Sequence, residues 1–267
     1  MHFAMDLMKG ETCNFYILNV QKASSFISDD MMVVSSSTTI YKTIINAAKK
    51  SIDNIISIFK TDYADENYDF HSIVDYDNFI DSINQVSENN NIDLIVMGTK
   101  GASGLTKKLF GSNTVRVIQR CKAPVLAIPE ACHFTDLNSI AFTTNNLPLL
   151  GLKELQPLKD LQTKHHSKLN ILHVADEHHL AQNESLNAGF FKTYFPEGVH
   201  DFVDSNKQDI FHAIQQYLRD NDVKMLAMMS KKHSFIERLF TTHVVETFAF
   251  KIDIPFLVMH SHSLQSM

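Results

Sequence analysis

Residues 92–128 read IDLIVMGTKGASGLTKKLFGSNTVRVIQRCKAPVLAI, and this stretch decides the fold class. Ile92–Met97 is a nearly continuous apolar run, which is typical of a strand covered on both faces in a parallel sheet. A glycine-rich loop over residues 98–111 follows, then a predicted helix, Ser112–Arg120, and a second buried strand, Ala123–Ile128. A strand, a helix and another strand in this order predict an α/β fold with a parallel sheet.

Alternating helices and strands also precede this stretch. The predicted elements are the end of a helix at His2–Met8, a strand at Cys13–Val20, a helix from Thr38 to Phe59, a strand at Asp69–Val74 and a helix at Asp77–Ser87. Apolar residues at three- and four-residue steps predict the long helix, and Thr38 or Thr39 is its expected N-cap. Asp75 and Asp77 stand where a strand gives way to a helix, so capping is their expected role.

The pattern repeats in the second half of the chain. Its predicted elements are a strand at Asn138–Thr144, a helix at Pro148–Gln162, a strand at Lys168–Val174, a helix at Gln208–Leu218, and strands at Val223–Met229 and Ile254–His260. The closest internal match pairs residues 108–112, KLFGS, with residues 238–242, RLFTT. We therefore predict two copies of one fold, over residues 1–132 and 136–267, joined near Glu130–Leu137.

Composition argues against several classes of protein. The chain has 267 residues with 24 Lys and Arg against 30 Asp and Glu, a formal net charge of −6. A general nucleic-acid binder usually carries a basic face instead. No apolar run is long enough to span a bilayer, and the N-terminus does not resemble a signal peptide.

Cysteines and histidines point to a cytoplasmic location and to no metal site. Cys13, Cys121 and Cys132 are scattered and odd in number, which indicates reduced thiols rather than a disulfide framework. The 14 histidines include adjacent pairs but no H-E-x-x-H motif, so we predict surface histidines and no bound metal.

The loop after Ile92–Met97 is the predicted ligand site. In a parallel sheet it lies at the carboxyl ends of the strands, where ligands bind. Its glycines let backbone N–H groups come close to a phosphate, and Gly111-Ser112 stand at a helix N-terminus, which favours an anion. The spacing matches neither a Walker A loop nor the Rossmann fingerprint. On spacing alone, the alternative stays open that the glycines only shape a turn and that Ser112 only caps the helix.

The segment Gly98-x2-Gly101-x9-Gly111-Ser112 resembles the ATP-binding motif of universal stress proteins, G-x2-G-x9-G-[ST]. The flanking IDLIVMG and PVLAI segments agree with that family, and so does the tandem arrangement. The resemblance implies, in each domain, an open five-stranded parallel sheet of strand order 3-2-1-4-5, the adenine nucleotide alpha hydrolase-like fold, with helices on both faces. It also implies bound ATP, or AMP or ADP, in a regulator or stress-survival factor.

The resemblance assigns the phosphate-binding roles residue by residue. Gly98 and Gly101 would lie against the ribose and the phosphates. Gly111, Ser112 and Asn113 would bind phosphate oxygens through backbone and side chain. Mg²⁺ would be an optional companion of ATP, although the motif contains no carboxylate to hold it.

The resemblance also implies an adenine pocket. Val20, at the end of a strand, would touch the adenine, and Met97 would help line that pocket. From the sequence alone, plain core residues are the favoured interpretation of both, because apolar strand ends usually just pack.

The chain departs from the family pattern at two places. The family's first strand, which ends in an Asp, has no counterpart before His2–Met8, so we expect the central strand of the N-terminal domain to be missing. A truncated sequence is the favoured reason, with replacement by another segment as an alternative. The second copy has Met228, Lys231, Ser234 and Thr241 where the first has its glycines, so we expect no ATP there by the usual mode.

These inferences lead to one functional hypothesis and one alternative. A cytoplasmic tandem universal stress protein would bind ATP or AMP in its N-terminal domain and act as a ligand-dependent regulator. No catalytic residue is predicted, and any ATP hydrolysis would be very slow because no base for the attacking water is evident. The alternative is a nucleotide-independent interaction protein that forms a homodimer or an intramolecular pseudo-dimer of its tandem domains. Neither nucleic acid nor a membrane is an expected partner.

Overall fold

The computed structural model describes residues 1–21, 37–76, 78–99, 111–144, 152–174, 184–203, 210–230 and 253–260. Its helices are α1 (His2–Leu7), α2 (Ser37–Asp62), α3 (Phe79–Asn89), α4 (Ser112–Arg120), α5 (Leu152–His165), α6 (Glu184–Tyr194) and α7 (Ile210–Asp220). Its strands are β1 (Cys13–Val20), β2 (Tyr68–Asp75), β3 (Ile95–Gly98), β4 (Val125–Ile128), β5 (Ser139–Thr144), β6 (Lys168–Val174), β7 (Val199–Val203), β8 (Met225–Ser230) and β9 (Phe256–His260). They form two compact units, Met1–Asn91 and Ile92–Met267.

The first unit is built on a two-stranded parallel sheet. β1 and β2 pair along their whole length, from Cys13 opposite Tyr68 to Val20 opposite Asp75. The apolar stripe of α2 is buried, and its Phe59 packs with Met5 of α1 in the core. The predicted strand–helix–strand order of this unit is therefore confirmed, with element ends that differ by up to three residues.

Two tyrosines hold the short helix α1 in place. The Tyr63 hydroxyl donates to the Asp6 carboxylate at 3.0 Å, and the Tyr68 hydroxyl donates to the Met5 carbonyl at 2.7 Å. Burial raises the pKa of Tyr63 to about 12, and the hydrogen bond to Asp6 adds to that shift. Because a helix of 6 residues is not stable by itself, α1 depends on these tertiary contacts.

The second unit contains a seven-stranded sheet in the order β3-β4-β9-β8-β5-β6-β7. Its five C-terminal strands, taken as β7-β6-β5-β8-β9, run parallel in the order 3-2-1-4-5. The α/β fold class predicted from the sequence is thus confirmed. β4 pairs antiparallel with β9, with Leu126 opposite Leu257, and this pairing adds β4 and β3 to the sheet.

Helices cover both faces of this sheet. Phe142 of β5 packs its ring against Phe191 of α6, with centroids 6.1 Å apart. Tyr217 of α7 donates a hydrogen bond to Asp201 of β7. Phe142 pairs with Ile171, and Ile171 pairs with His200, so Phe142 and His200 lie on the same face of the sheet. Asp201 follows His200 and therefore lies on the opposite face, so the two contacts are on opposite faces. β5, at the centre of the five strands, is buried along its whole length.

The N-terminal half supplies β1 to β4. In the part of the chain that the structure describes, β1 pairs with β2 alone and β3 with β4 alone, so no strand takes the central position there. The two units divide ahead of β3, since β4 joins the C-terminal strands through β9. The repeat boundary near Glu130–Leu137 stays a prediction.

Some local expectations are wrong. The run Ile92–Met97 predicts a strand covered on both faces, yet β3 is shorter and its Val96 is 38% exposed. The N-cap of α3 is Asn78, whose side chain accepts a hydrogen bond from the Ile80 amide, whereas Asp75 ends β2. Asp77 lies outside the described residues, as do the side chains of Thr38 and Thr39.

The elements α6 and β7 have no counterpart among the sequence predictions. Among the described helices, none combines the length and the apolar character that a membrane crossing requires.

Candidate functional site

The glycine loop leaves the sheet at its carboxyl edge. β3 ends at Gly98, and the next residue, Thr99, donates its backbone N–H to the Ile128 carbonyl at the end of β4, at 3.0 Å. Because β3 and β4 are parallel, both carboxyl ends meet here, as the sequence predicts. Gly101, with the rest of residues 100–110, lies outside the described residues.

Hydrogen bonds join the two ends of the loop. The Gly111 N–H donates to the Thr99 carbonyl at 2.6 Å. The Thr114 hydroxyl donates to the Gly98 carbonyl at 3.0 Å, and this side chain is only 2% exposed. The structure therefore brings Gly98 and Gly111 together, with Ser112 next in the chain.

Among the described residues, no side chain caps the N-terminus of α4. Gly111 is its N-cap, with φ −61° and ψ 152°, and no side chain in the described region accepts a hydrogen bond from the first amides. The interpretation of Ser112 as a capping residue is therefore wrong. Ser112 and Asn113 are exposed in the first turn, where the free amides and the helix dipole favour an anion.

Within the part of the chain that the structure describes, no packing contact requires a glycine at position 98. A Cβ built at this position would meet nothing within 4 Å, and its φ lies outside the left-handed region. An open side at the end of β3 suits the close approach of a ligand, which a side chain would hinder. The residues present thus fit a phosphate-bearing group.

The expected adenine residues lie in different units. Val20 ends β1 in the first unit, and Met97 precedes Gly98 in the second; both are half-buried. The adenine pocket that the resemblance implies stays a prediction.

Helix α4 is anchored along one buried stripe, which contains Thr114, Val117, Ile118 and the C-cap residue Cys121. His260 of β9 donates from Nε2 to the Ile118 carbonyl at 2.7 Å, which ties α4 to the last strand of the sheet. Burial raises the pKa of the Cys121 thiol to about 11. Packing at both ends of α4 therefore sets the orientation of the helix and of its N-terminus.

Sequence reasoning missed Thr99 and Thr114. Both are buried, and both bond across the base of the loop. The available signal was the position of Thr114, which lies three residues before Val117 on the stripe that α4 buries. A polar residue at such a position needs a hydrogen-bond partner.

In the C-terminal half, Met228 occupies the position aligned with Gly98 and is buried in β8, while Lys231, Ser234 and Thr241 lie outside the described residues. Across the described segments, no group of three or more His, Cys, Asp or Glu side chains is arranged to hold a metal ion.

Several solved structures are similar to this chain. A universal stress protein from Archaeoglobus fulgidus has a TM-score of 0.65 at 15% identity, covering 96% of this chain and 89% of that one. PA1789 from Pseudomonas aeruginosa, described as functionally unknown, has a TM-score of 0.56 at 11% identity, with 93% and 83% covered. Identities this low establish likeness of fold alone, and no curated protein sequence matches the chain.

The family comparison is more specific than these structures. The profile of the universal stress protein family matches residues 2–129. That range contains β1 to β4, helix α4 and the whole glycine loop. Residues 2–129 of the chain therefore belong to the universal stress protein family.

Proposed function

We propose that this stress protein binds ATP or AMP through the loop between β3 and α4 and acts as a ligand-dependent regulator. The observation that carries the proposal is the joined base of that loop, where Gly111 bonds to Thr99 and Thr114 bonds to Gly98. This base fixes the uncapped N-terminus of α4 beside the open side of Gly98.

Each of these groups has a role toward a nucleotide. The first amides of α4 would donate to phosphate oxygens, assisted by the Ser112 hydroxyl and the Asn113 side chain. Gly98 and Gly101 would let the ribose and phosphates lie against the backbone. Met97, next to Gly98, would contact the adenine. Mg²⁺ would come with ATP rather than be held by a dedicated carboxylate.

The protein is proposed as a binding protein rather than an enzyme, since the motif offers no base to activate water. Regulation would follow from a difference in nucleotide affinity between two conformations of the protein, because a ligand shifts a conformational equilibrium by its differential affinity. A cytoplasmic location accords with the thiols of Cys13, Cys121 and Cys132, which form no disulfide in the described part of the chain.

Titration of ATP and AMP into the full chain, by calorimetry, tests the proposal. The variant Gly111→Val should abolish binding, because its side chain would point at the phosphates. The extended backbone at this position accepts valine without strain, so the fold should survive. The control is Gly189→Ala on α6, which should bind like the unmodified chain. Absence of nucleotide binding to the unmodified chain would refute the proposal.

A second candidate, a nucleotide-independent interaction protein, is favoured by the antiparallel pairing of β4 with β9. This pairing joins the fifth strands of the two copies edge to edge, as an intramolecular pseudo-dimer would. Under this alternative, Gly111→Val would leave every partner interaction unchanged, whereas the regulator proposal requires at least one to depend on nucleotide.

A further inference from the structure

Strand β3 has one partner where its position in the fold calls for two. The Ile95 and Thr99 amides donate to carbonyls of the β4 side at 2.8 and 3.0 Å. Because alternate residues of a strand bond to the same neighbour, the backbone groups of Val96 face the opposite edge. No strand of the described residues pairs along that edge, so β3 ends the seven-stranded sheet.

The corresponding strand of the second half is β8, which is paired on both sides, by β5 and by β9. Its residues Met225 to Met228 are at most 2% exposed, whereas Val96 of β3 is 38% exposed. β3 has the apolar composition of a strand that is buried on both faces and paired on both edges. Val96 is exposed because β8 has two neighbouring strands, whereas β3 has one among the described residues.

The first unit shows the same deficit independently. β1 pairs with β2 alone, while its counterpart β6 pairs with both β5 and β7. Ile17 and Leu18 of β1 are half-buried, but Ile171 and Leu172 of β6 are fully buried. In both comparisons, the neighbour that the described N-terminal strands do not have is the counterpart of β5.

We infer that the edge of β3 left unpaired by the described strands binds an extended, uncharged, apolar strand of a different protein, aligned parallel to β3. The chemistry of the occupant is read from β5, SIAFTT, which has no charge and is buried at every position. An alternation of apolar and charged residues does not fit, because helices cover both faces of such a central strand.

The internal repeat also gives the register. Ile140 of β5 lies opposite Met225, and Phe142 lies opposite Ala227. The Ile95 amide bonds to the Pro124 carbonyl as the Leu226 amide bonds to the Pro255 carbonyl, so Ile95 is the structural counterpart of Leu226. An isoleucine in the occupant would then lie opposite Leu94, and an aromatic residue opposite Val96.

A synthetic peptide with the sequence of residues 138–145, NSIAFTTN, is the probe, added to the full chain without nucleotide. Fluorescence polarisation of the labelled peptide measures binding, and hydrogen exchange locates it. The Val96 amide should exchange at least about tenfold more slowly at saturation, while the Met97 amide, which faces β4, should not change. A peptide with proline in place of the alanine cannot donate along the ladder and should not bind.

Two variants of the chain match each other as controls. Val96→Pro removes the amide that faces the free edge but not the bonds to β4, and proline is tolerated at such a position. It should abolish peptide binding, while Val96→Thr should retain it. Circular dichroism of both variants checks that the sheet has formed.

Three results would overturn the inference. The peptide could fail to bind, or the Val96 amide could already be protected in the peptide-free monomer, which would mean that this chain covers its own edge. Protection that appears only with dimerisation would assign the edge to a second copy. None of these readouts depends on ATP, so they are independent of the proposed nucleotide site.

Discussion

The Thr114 hydroxyl is predicted to hold the base of the glycine loop, and Thr114→Val removes it with little change of shape. The hydrogen bond to the Gly98 carbonyl is 3.0 Å long, and Thr114 is almost fully buried. Gly98 itself is exposed, so water can partly replace the lost donor. The cost in unfolding free energy should therefore be about 1 kcal/mol, rather than the ~3 kcal/mol of a fully dry, unsatisfied carbonyl.

Stability alone does not decide the role of this residue. The matched variant Thr114→Ser keeps the hydroxyl and loses one buried methyl group, which costs a similar ~0.8 kcal/mol. Urea denaturation should thus find the two variants about equally destabilised. The difference should appear at Gly111, whose amide bonds to Thr99 at the same base.

Hydrogen exchange of the Gly111 amide is the decisive assay. In Thr114→Val the base opens more easily by about 1 kcal/mol, so this amide should exchange roughly fivefold faster than in the unmodified chain. In Thr114→Ser the bond persists and the exchange rate should stay close to that of the unmodified chain. Equal exchange in the two variants would refute the reasoning, because it would mean that the hydroxyl does not hold the loop.

Three further predictions concern stability and reactivity. Gly189→Ala should raise the unfolding free energy by up to ~1 kcal/mol, since an added Cβ meets nothing within 4 Å on α6. Gly198→Ala should lower it by ~1–3 kcal/mol, because its Cβ would lie 2.8 Å from Ile171 Cδ1; thermal melts compare the two, and equal shifts would count against the packing argument. The pKa of Tyr63 is raised by burial to about 12 from 10.0, so the unfolding free energy should fall as pH rises through this interval. Tyr63→Phe should flatten that fall in urea titrations, and an unchanged slope would exclude Tyr63 as its source. The Cys121 thiol, with its pKa raised by burial to about 11, should react with a thiol reagent only on unfolding; labelling as fast as that of half-buried Cys13, measured by peptide mapping, would contradict this.

The sequence predicted most elements because their local patterns were strong. Cys13–Val20 is rich in residues that favour strands, Lys168–Val174 repeats its pattern, and both strands are found at the predicted residues. The elements α6 and β7 were missed for physical reasons. Gly189 interrupts the helix propensity of α6, and the His200-Asp201 pair is atypical of a strand, where tertiary pairing with β6 overrides local preference.

At the candidate site, prediction from the sequence is limited for a different reason. Spacing placed Gly98 at the end of a strand and Gly111 and Ser112 at the start of a helix, because glycine and the onset of helical periodicity are local signals. Partners across the loop are not local. The bond from Thr114 to Gly98 joins residues 16 apart, and its existence depends on how α4 packs on the sheet. Sequence pattern therefore finds the motif but not the residues that hold its ends together.

The pairing of β4 with β9 has a consequence for biosynthesis. A two-stranded pair such as β3–β4 is marginal by itself, and its further neighbour on the sheet, β9, is synthesised long after it. Residues 92–128 therefore should not complete their sheet while the nascent chain grows, and they depend on β9 for a lasting edge partner. Contacts between residues this far apart in the sequence also form slowly. The Thr99–Gly111 bond at the base of the glycine loop, although it lies early in the chain, should therefore become stable only after β9 has been translated. In this unit, an N-terminal segment waits for a C-terminal one before its fold is complete.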